Sequence, residues 1–181
     1  MSETIYWTEL KSPVGPLVLL ATDAGLCRIE FGDFALREEK LRNWTRTWFT
    51  GDAQWVQVKP NEHIMISESA GQLERYFAGG LEAFTVKLDM RGTPFQTKVW
   101  QALLDVPYGE SRSYKHIAEA IGQPKAVRAV GGANNRNPVP LIVPCHRIIG
   151  AGGALVGYGG GLDAKTYLLA LERQKEGGGA S

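Results

Sequence analysis

The chain has 181 residues, is 44% hydrophobic and 22% charged, and carries a formal net charge of +1. This is the balance of an ordinary globular protein, and it excludes recognition of a polyanion through overall charge. The charge is unevenly placed, however: residues 91–150 hold eight basic and three acidic side chains, whereas residues 1–90 hold nine basic and thirteen acidic. One basic segment in a neutral chain points to a local anionic partner as readily as to a merely uneven surface. Two cysteines do not make a disulfide framework. The opening MSETIYWTEL lacks an apolar signal core, and no run approaches a membrane span. A reducing, cytoplasmic setting without a membrane is therefore expected, where a thiol survives.

In chain order, Ile5 to Leu10 reads as a strand. Gly15 to Ala21 and Leu26 to Phe31 flank the turn Thr22-Asp23-Ala24-Gly25 and read as a hairpin. Phe34 to Phe49 and Ile64 to Phe77 are amphipathic and predict helices, the second stopped by Gly79-Gly80. Phe84 to Leu88 alternates and predicts another strand. Arg91-Gly-Thr-Pro is a boundary, with Thr93 as an N-cap and Pro94 in the first helical turn. The helix that follows turns Phe95, Val99, Leu103 and Val106 to one face and ends at Pro107-Tyr108-Gly109.

Ser113 can cap a short helix with Tyr114, Ile117, Ala118 and Ile121 inward. Gly122-Gln123-Pro124 breaks it, and a second helix runs from Lys125 to Ala133. Two short helices across a tight turn outline a helix-turn-helix. Gly131 and Gly132 each cost the second helix up to about 1 kcal/mol relative to alanine. With Ala126, Ala129 and Ala133 they leave a smooth surface, from which Arg128 projects. Residues 150–161 form a Gly-rich loop without a phosphate-cradle pattern. Asp163 caps a last helix with Ala164, Tyr167, Leu168 and Leu171 inward, and EGGGAS closes the chain as a disordered tail.

The chemistry lies in PVPLIVPCHRIIG, residues 138–150. A thiol, an imidazole and a guanidinium sit inside an apolar run, where charged groups are rarely left without partners. Pro144 suits the first turn of a short helix, which would place Cys145 at a helix N-terminus. His146 and Arg147 add positive charge, and both features lower a thiol pKa. Neighbours i and i+1 on a helix do not face each other, so His146 would reach the sulfur through a bridging water. Its other nitrogen then needs an orienting carboxylate, for which Glu172 is the best candidate. The inventory Cys27, Cys145, His63, His116 and His146 has no metal-ligand spacing, so no metal is expected. Cys27 reads as a small core residue.

NPVPLIVPCHRIIG, with RAVGGA upstream and GYGGGL downstream, resembles the O6-alkylguanine-DNA alkyltransferases, also called methylated-DNA–protein-cysteine methyltransferases. The resemblance is close from about Phe95 to Glu172 and looser over SPVGPLVLLATDAGLCRIEF. It implies direct-reversal DNA repair. A monomer, acting alone or cooperatively, binds double-stranded DNA through the minor groove with its helix-turn-helix, in the cytoplasm at the nucleoid or in a nucleus. It flips the damaged base out. Cys145 takes the alkyl group from O6-alkylguanine, with O4-alkylthymine also expected, and keeps it. No cofactor is needed.

The resemblance also implies residue roles. Cys145, His146 and Glu172 match a thiol–water–histidine–glutamate relay. Tyr114 matches the tyrosine that hydrogen-bonds or protonates the departing base; from the residues alone, plain core is the stronger reading of Tyr114. Asn137 matches an asparagine bracing the turn beneath the cysteine. Arg128 matches an arginine that fills the hole in the base stack. Ala129, Gly131 and Lys125 belong with the DNA-binding helix. Val143, Tyr158, Gly159 and Gly160 match the substrate pocket wall, although some relatives carry serine where this chain has Gly159. Arg147 is expected to join the two halves through an ion pair. The zinc-binding Cys/His set of some relatives is absent.

The expected fold class is α+β: a small N-terminal α/β domain with an antiparallel sheet over residues 1–90, a mostly helical domain with the helix-turn-helix over 91–176, and a tail over 177–181. A non-catalytic sensor of alkylated bases is the alternative, though Cys145 argues against it. A cysteine hydrolase would not explain the small-residue helix or Arg128. A bare transcriptional helix-turn-helix would leave Pro-Cys-His-Arg unexplained.

Overall fold

The computed structural model describes residues 2–179. The chain divides into two compact units, Met1–Arg91 and Gly92–Ser181.

The N-terminal unit is built on a sheet of order β3-β2-β1-β4. Strands β1 (Thr4–Leu10), β2 (Leu17–Thr22) and β3 (Gly25–Phe31) form the expected antiparallel meander. A fourth strand that the sequence does not advertise, β4 (Gln54–Gln57), pairs with β1 in parallel, so the sheet is mixed. It is short and largely exposed, which leaves no hydrophobic alternation to read. Every residue of β2 is buried. Its alternate side chains serve two cores: Val18 and Leu20 join Ile5 and Cys27 against Leu41 of α1 (Phe34–Trp48), and the opposite face meets α2 (Ile64–Phe77) through Ile66, Leu73 and Tyr76. Asp33 caps α1, its carboxylate accepting from the Leu36 N–H.

Residues 84–88 do not form the expected strand. They make one bridge, Leu26 to Leu88, and the Leu26 N–H donates to the Lys87 carbonyl at 2.9 Å. This closes the edge of β3 at Gly25. A Cβ there would lie 2.7 Å from the Lys87 oxygen, so the turn needs glycine for close approach as well as for its φ of +157°.

The C-terminal unit begins with α3 (Pro94–Leu104). Thr93 caps this helix with Pro94 in the first turn, as the sequence predicts, and Gln96 completes a reciprocal capping box. The chain then passes through β5 (Arg112–Ser113), α4 (Tyr114–Ala120) and α5 (Val127–Asn135). The Ser113 hydroxyl caps α4 by accepting from His116 N–H, and α4 and α5 make the helix-turn-helix. Residues 137–147 are buried throughout. Cys145–Arg147 form a single 3₁₀ turn, β6 (Ile148–Ile149) pairs in parallel with β5, and α6 runs from Leu162 to Gly179. The buried face of α6 comprises Ala164, Lys165, Leu168, Leu169 and Glu172, while Tyr167 is exposed and Leu171 only half-buried. The expected inward stripe is thus rotated, because the helix turns a lysine and a glutamate into the interior. Of the expected tail over 177–181, residues 177–179 continue α6, and residues 180 and 181 lie outside the described residues.

Candidate active site around Cys145

Cys145 is set by the turn that precedes it. The Asn137 side chain spans this turn: its Nδ2 donates to the Val143 carbonyl at 2.8 Å, and its Oδ1 accepts from the Val139 N–H at 3.0 Å. The turn is tight enough to hold Leu141 at a φ of +77°, a conformation costing a non-glycine residue about 1 kcal/mol or more. Asn137 therefore braces the loop, and Val143 belongs to the same brace, since its carbonyl also accepts from the Cys145 N–H at 2.8 Å. These neutral groups satisfy backbone atoms that burial would otherwise strand.

The thiol is not activated in the way the sequence suggests. Burial is the largest influence on Cys145 and pushes its pKa from an ordinary 9.0 up to about 11, against the Asn137 hydrogen bond and the charge of Lys165. The 3₁₀ turn is only three residues long and supplies little dipole. The Arg147 guanidinium points elsewhere: its Nε and Nη2 donate to Glu172 at 2.8 and 3.2 Å, and its Nη1 donates to the Val106 carbonyl at 2.7 Å. The expected ion pair exists, but within the C-terminal unit.

His146 Nε2 lies 2.6 Å from Oε2 of Glu172, and both side chains are buried. Burial depresses the His146 pKa, although the hydrogen bond and charge of Glu172 oppose this. Burial would raise the Glu172 pKa, but the hydrogen bond donated by His146 and the hydrogen bonds and charge of Arg147 hold it at about 2. With Arg147 already neutralising the carboxylate, the imidazole stays neutral. It donates Nε2–H to Glu172, which leaves Nδ1 as the acceptor. The Gly109 N–H adds a 3.1 Å donation to Glu172 Oε1. The turn at Pro107-Tyr108-Gly109 thus anchors the carboxylate as well as ending α3.

Lys165 went unnoticed in the sequence. It is completely buried on α6, and its Nζ donates to the carbonyls of Ile148 at 2.6 Å and Val156 at 3.0 Å. It ties the end of the cysteine turn to the Gly-rich loop. Burial lowers its pKa, and attraction to Cys145 opposes that. Lys165 and Glu172 lie seven residues apart and share the helix face of Leu168. That spacing was the available signal, masked by the assumption that apolar residues mark the inner stripe.

Tyr114 begins α4, half-buried, and its ring lies against Gly131 of α5: a Cβ on Gly131 would be 3.9 Å from ring carbons Cδ1 and Cε1. Burial, then the charge of Cys145, raise the Tyr114 pKa, and the polar side chain of Asn134 lowers it. Lys125, Arg128 and Ala129 are exposed around the start of α5. Tyr158 is half-buried, its ring edge-on to His146 at 6.5 Å between centroids, and Gly159 is exposed with open space where a Cβ would stand. Gly160 is half-buried beside them. A cavity of about 450 Å³ between Leu10, Pro60 and Phe77 lies in the N-terminal unit and touches none of these residues. No group of three or more His, Cys, Asp or Glu among the described residues is placed to hold a metal ion, and no described helix is long and apolar enough to cross a membrane.

A buried thiol, a neutral imidazole and an ionised glutamate in sequence can move a proton off sulfur when an electrophile arrives, and beside them stands a helix pair with an exposed arginine and a small-residue surface. Known proteins match the chain over both units. Residues 94–174 match the 6-O-methylguanine DNA methyltransferase DNA binding domain, and residues 5–90 match the ribonuclease-like domain of the same enzymes. A methylated-DNA–protein-cysteine methyltransferase of Methanosarcina barkeri is 46% identical over 168 residues, covering 93% of this chain and 97% of the relative. Its namesake in Mycobacterium leprae is 45% identical over 171 residues, covering 94% of each. The crystal structure of Mycobacterium tuberculosis OGT in complex with DNA superposes with a TM-score of 0.78 at 43% identity, covering 94% of both chains. With both units matched along nearly their whole length, the chain belongs to the 6-O-methylguanine DNA methyltransferase family.

Proposed function

We propose that this protein repairs alkylated DNA by direct reversal, moving the alkyl group of O6-alkylguanine, and of O4-alkylthymine, onto its own Cys145 once per molecule. The observation that carries the reading is the thiol of Cys145 buried beside the His146–Glu172 pair in a chain with this family's two domains. The N-terminal unit is structural on this reading, and the C-terminal unit binds duplex DNA and performs the transfer.

The exposed Lys125, Arg128, Ala129 and the half-buried Gly131 support the approach of α5 to DNA. Arg128 fills the stack when the damaged nucleotide is flipped toward Cys145. Tyr158, Gly159 and Gly160 border the flipped base. Val143, whose carbonyl holds Asn137, supports the floor of the pocket. His146 Nδ1 takes the thiol proton through a water, and Glu172 holds the imidazole in the required tautomer. The sulfur attacks the alkyl carbon, the carbon–oxygen bond breaks, and Tyr114 assists the base as it leaves. The thioether is the end state, because a thioether carbon–sulfur bond is not hydrolysed by the proton relay that formed it. The protein acts as a monomer in a reducing compartment.

The test is intact mass with peptide mapping after mixing with a duplex bearing one O6-methylguanine. One added methylene per protein, on Cys145, is expected. Tight binding without a mass gain would instead identify a lesion sensor.

A further inference from the structure

We propose that Trp100 is a positioning residue for duplex repair: its indole N–H holds the last turn of α5 and so fixes the direction in which this helix presents Arg128 to DNA. The inference rests on the repair function proposed above and extends it to a residue of α3, outside both the cysteine motif and the helix-turn-helix.

Trp100 is 2% exposed on α3, and its Nε1–H donates to the Ala133 carbonyl of α5 at 2.8 Å. That carbonyl is one of those that a helix end leaves without a regular partner. In an unbroken helix the Asn137 N–H would reach it. Here the Asn137 N–H donates to the Asn134 carbonyl at 3.3 Å, and the Arg136 N–H is shared between the carbonyls of Gly132 and Ala133 at 3.2 Å each. The indole supplies the short bond at the point where α5 ends.

Helix α5 needs such a tie. It has nine residues, with Gly131 and Gly132 inside it and no side-chain cap at Ala126. A helix that short, carrying two glycines, is held by its contacts more than by its own propensity. With the last turn tied, the glycines before it stay helical, and Arg128 keeps a fixed direction on the same continuous helix. The seat of the indole is itself built: a Cβ on Gly92 would overlap ring carbons Cη2 and Cζ3 of Trp100. Glycine at 92 leaves the ring the room from which it reaches Ala133.

The test compares two substrates at single turnover on the full chain, a duplex carrying one O6-methylguanine and the free O6-methylguanine base. Trp100→Phe keeps an aromatic ring and removes the donor. Transfer from the duplex is expected to slow by up to about tenfold, the size of one lost hydrogen bond. Transfer from the free base is expected to slow less, since a free base needs no extrusion from a stack. Amide hydrogen exchange is expected to quicken at Arg136 and Asn137 ahead of the rest of the unit. Equal slowing on both substrates, an unchanged duplex rate, or exchange unmoved at these two amides would overturn the inference; a merely structural loss would touch both reactions alike. If Trp100→Phe does not fold, Gly92→Ala, which crowds the same ring from its benzene edge, enters the comparison with the same criteria. Wild-type transfer from the duplex is the control: its failure removes the repair function itself, whereas normal wild-type transfer with equal losses in the variant removes only the role of Trp100.

Discussion

Glu172 meets His146 at 2.6 Å on one carboxylate oxygen and Arg147 at 2.8 Å on the other. One buried carboxylate therefore orients the imidazole and neutralises a guanidinium that is itself buried. Glu172→Gln strands Arg147 without a counter-charge, a change that costs about 3–5 kcal/mol. Transfer should fall and the thermal midpoint should drop together. A Gln variant that melts like the wild type would contradict this account of the pair.

The same carboxylate sets an acid limit. Its folded pKa of about 2 lies below its ordinary 4.5, so the native state binds fewer protons than the unfolded chain between those values. Its stabilisation is complete above pH 4.5 and drains away as the pH falls toward 2. Denaturant titrations of wild type and Glu172→Gln across this window should converge at the acid end. Parallel curves would remove Glu172 from the cause of acid unfolding.

For Cys145 the sign is opposite. Burial raises its pKa from 9.0 to about 11, so the native state holds the thiol proton that the unfolded chain loses. This contribution is intact below pH 9 and is lost as the pH rises to 11. In the free protein, thiolate absorbance from Cys145 should be absent at pH 7 and appear near 11, and Cys145→Ala should erase that step. A step near neutrality would mean that the thiol is ionised before DNA arrives.

Lys165 provides cationic support near that thiol and holds two backbone carbonyls. Lys165→Met leaves both carbonyls buried and unmatched, at about 1–3 kcal/mol each. The variant should melt earlier, and its Cys145 should titrate higher than in the wild type. An unchanged Cys145 titration would show that the ammonium acts only as a tie for the loop.

Arg128→Ala should weaken repair of a duplex far more than reaction with a free alkylated base, because only the duplex leaves a gap in the stack. Comparing the two substrates' rates checks this. Equal losses would place Arg128 in general binding or folding.

Cys145, His146 and the caps Thr93 and Ser113 were legible in the sequence because their signals are local: a motif, a capping pattern, a proline at a helix start. Helix α2 and the β2–β3 hairpin were legible from periodicity. The strand β4 was not, because a short exposed strand carries no alternation and its parallel partner lies about fifty residues away in sequence. Residue pairing alone did not reveal that Arg147 faces Glu172 instead of the thiol, or that α6 buries Lys165. Sequence sets which groups are available and where helices start. Whether a thiol is a thiolate, and which cation serves it, depends on desolvation and on distances between distant segments, and these exist only once the chain is packed.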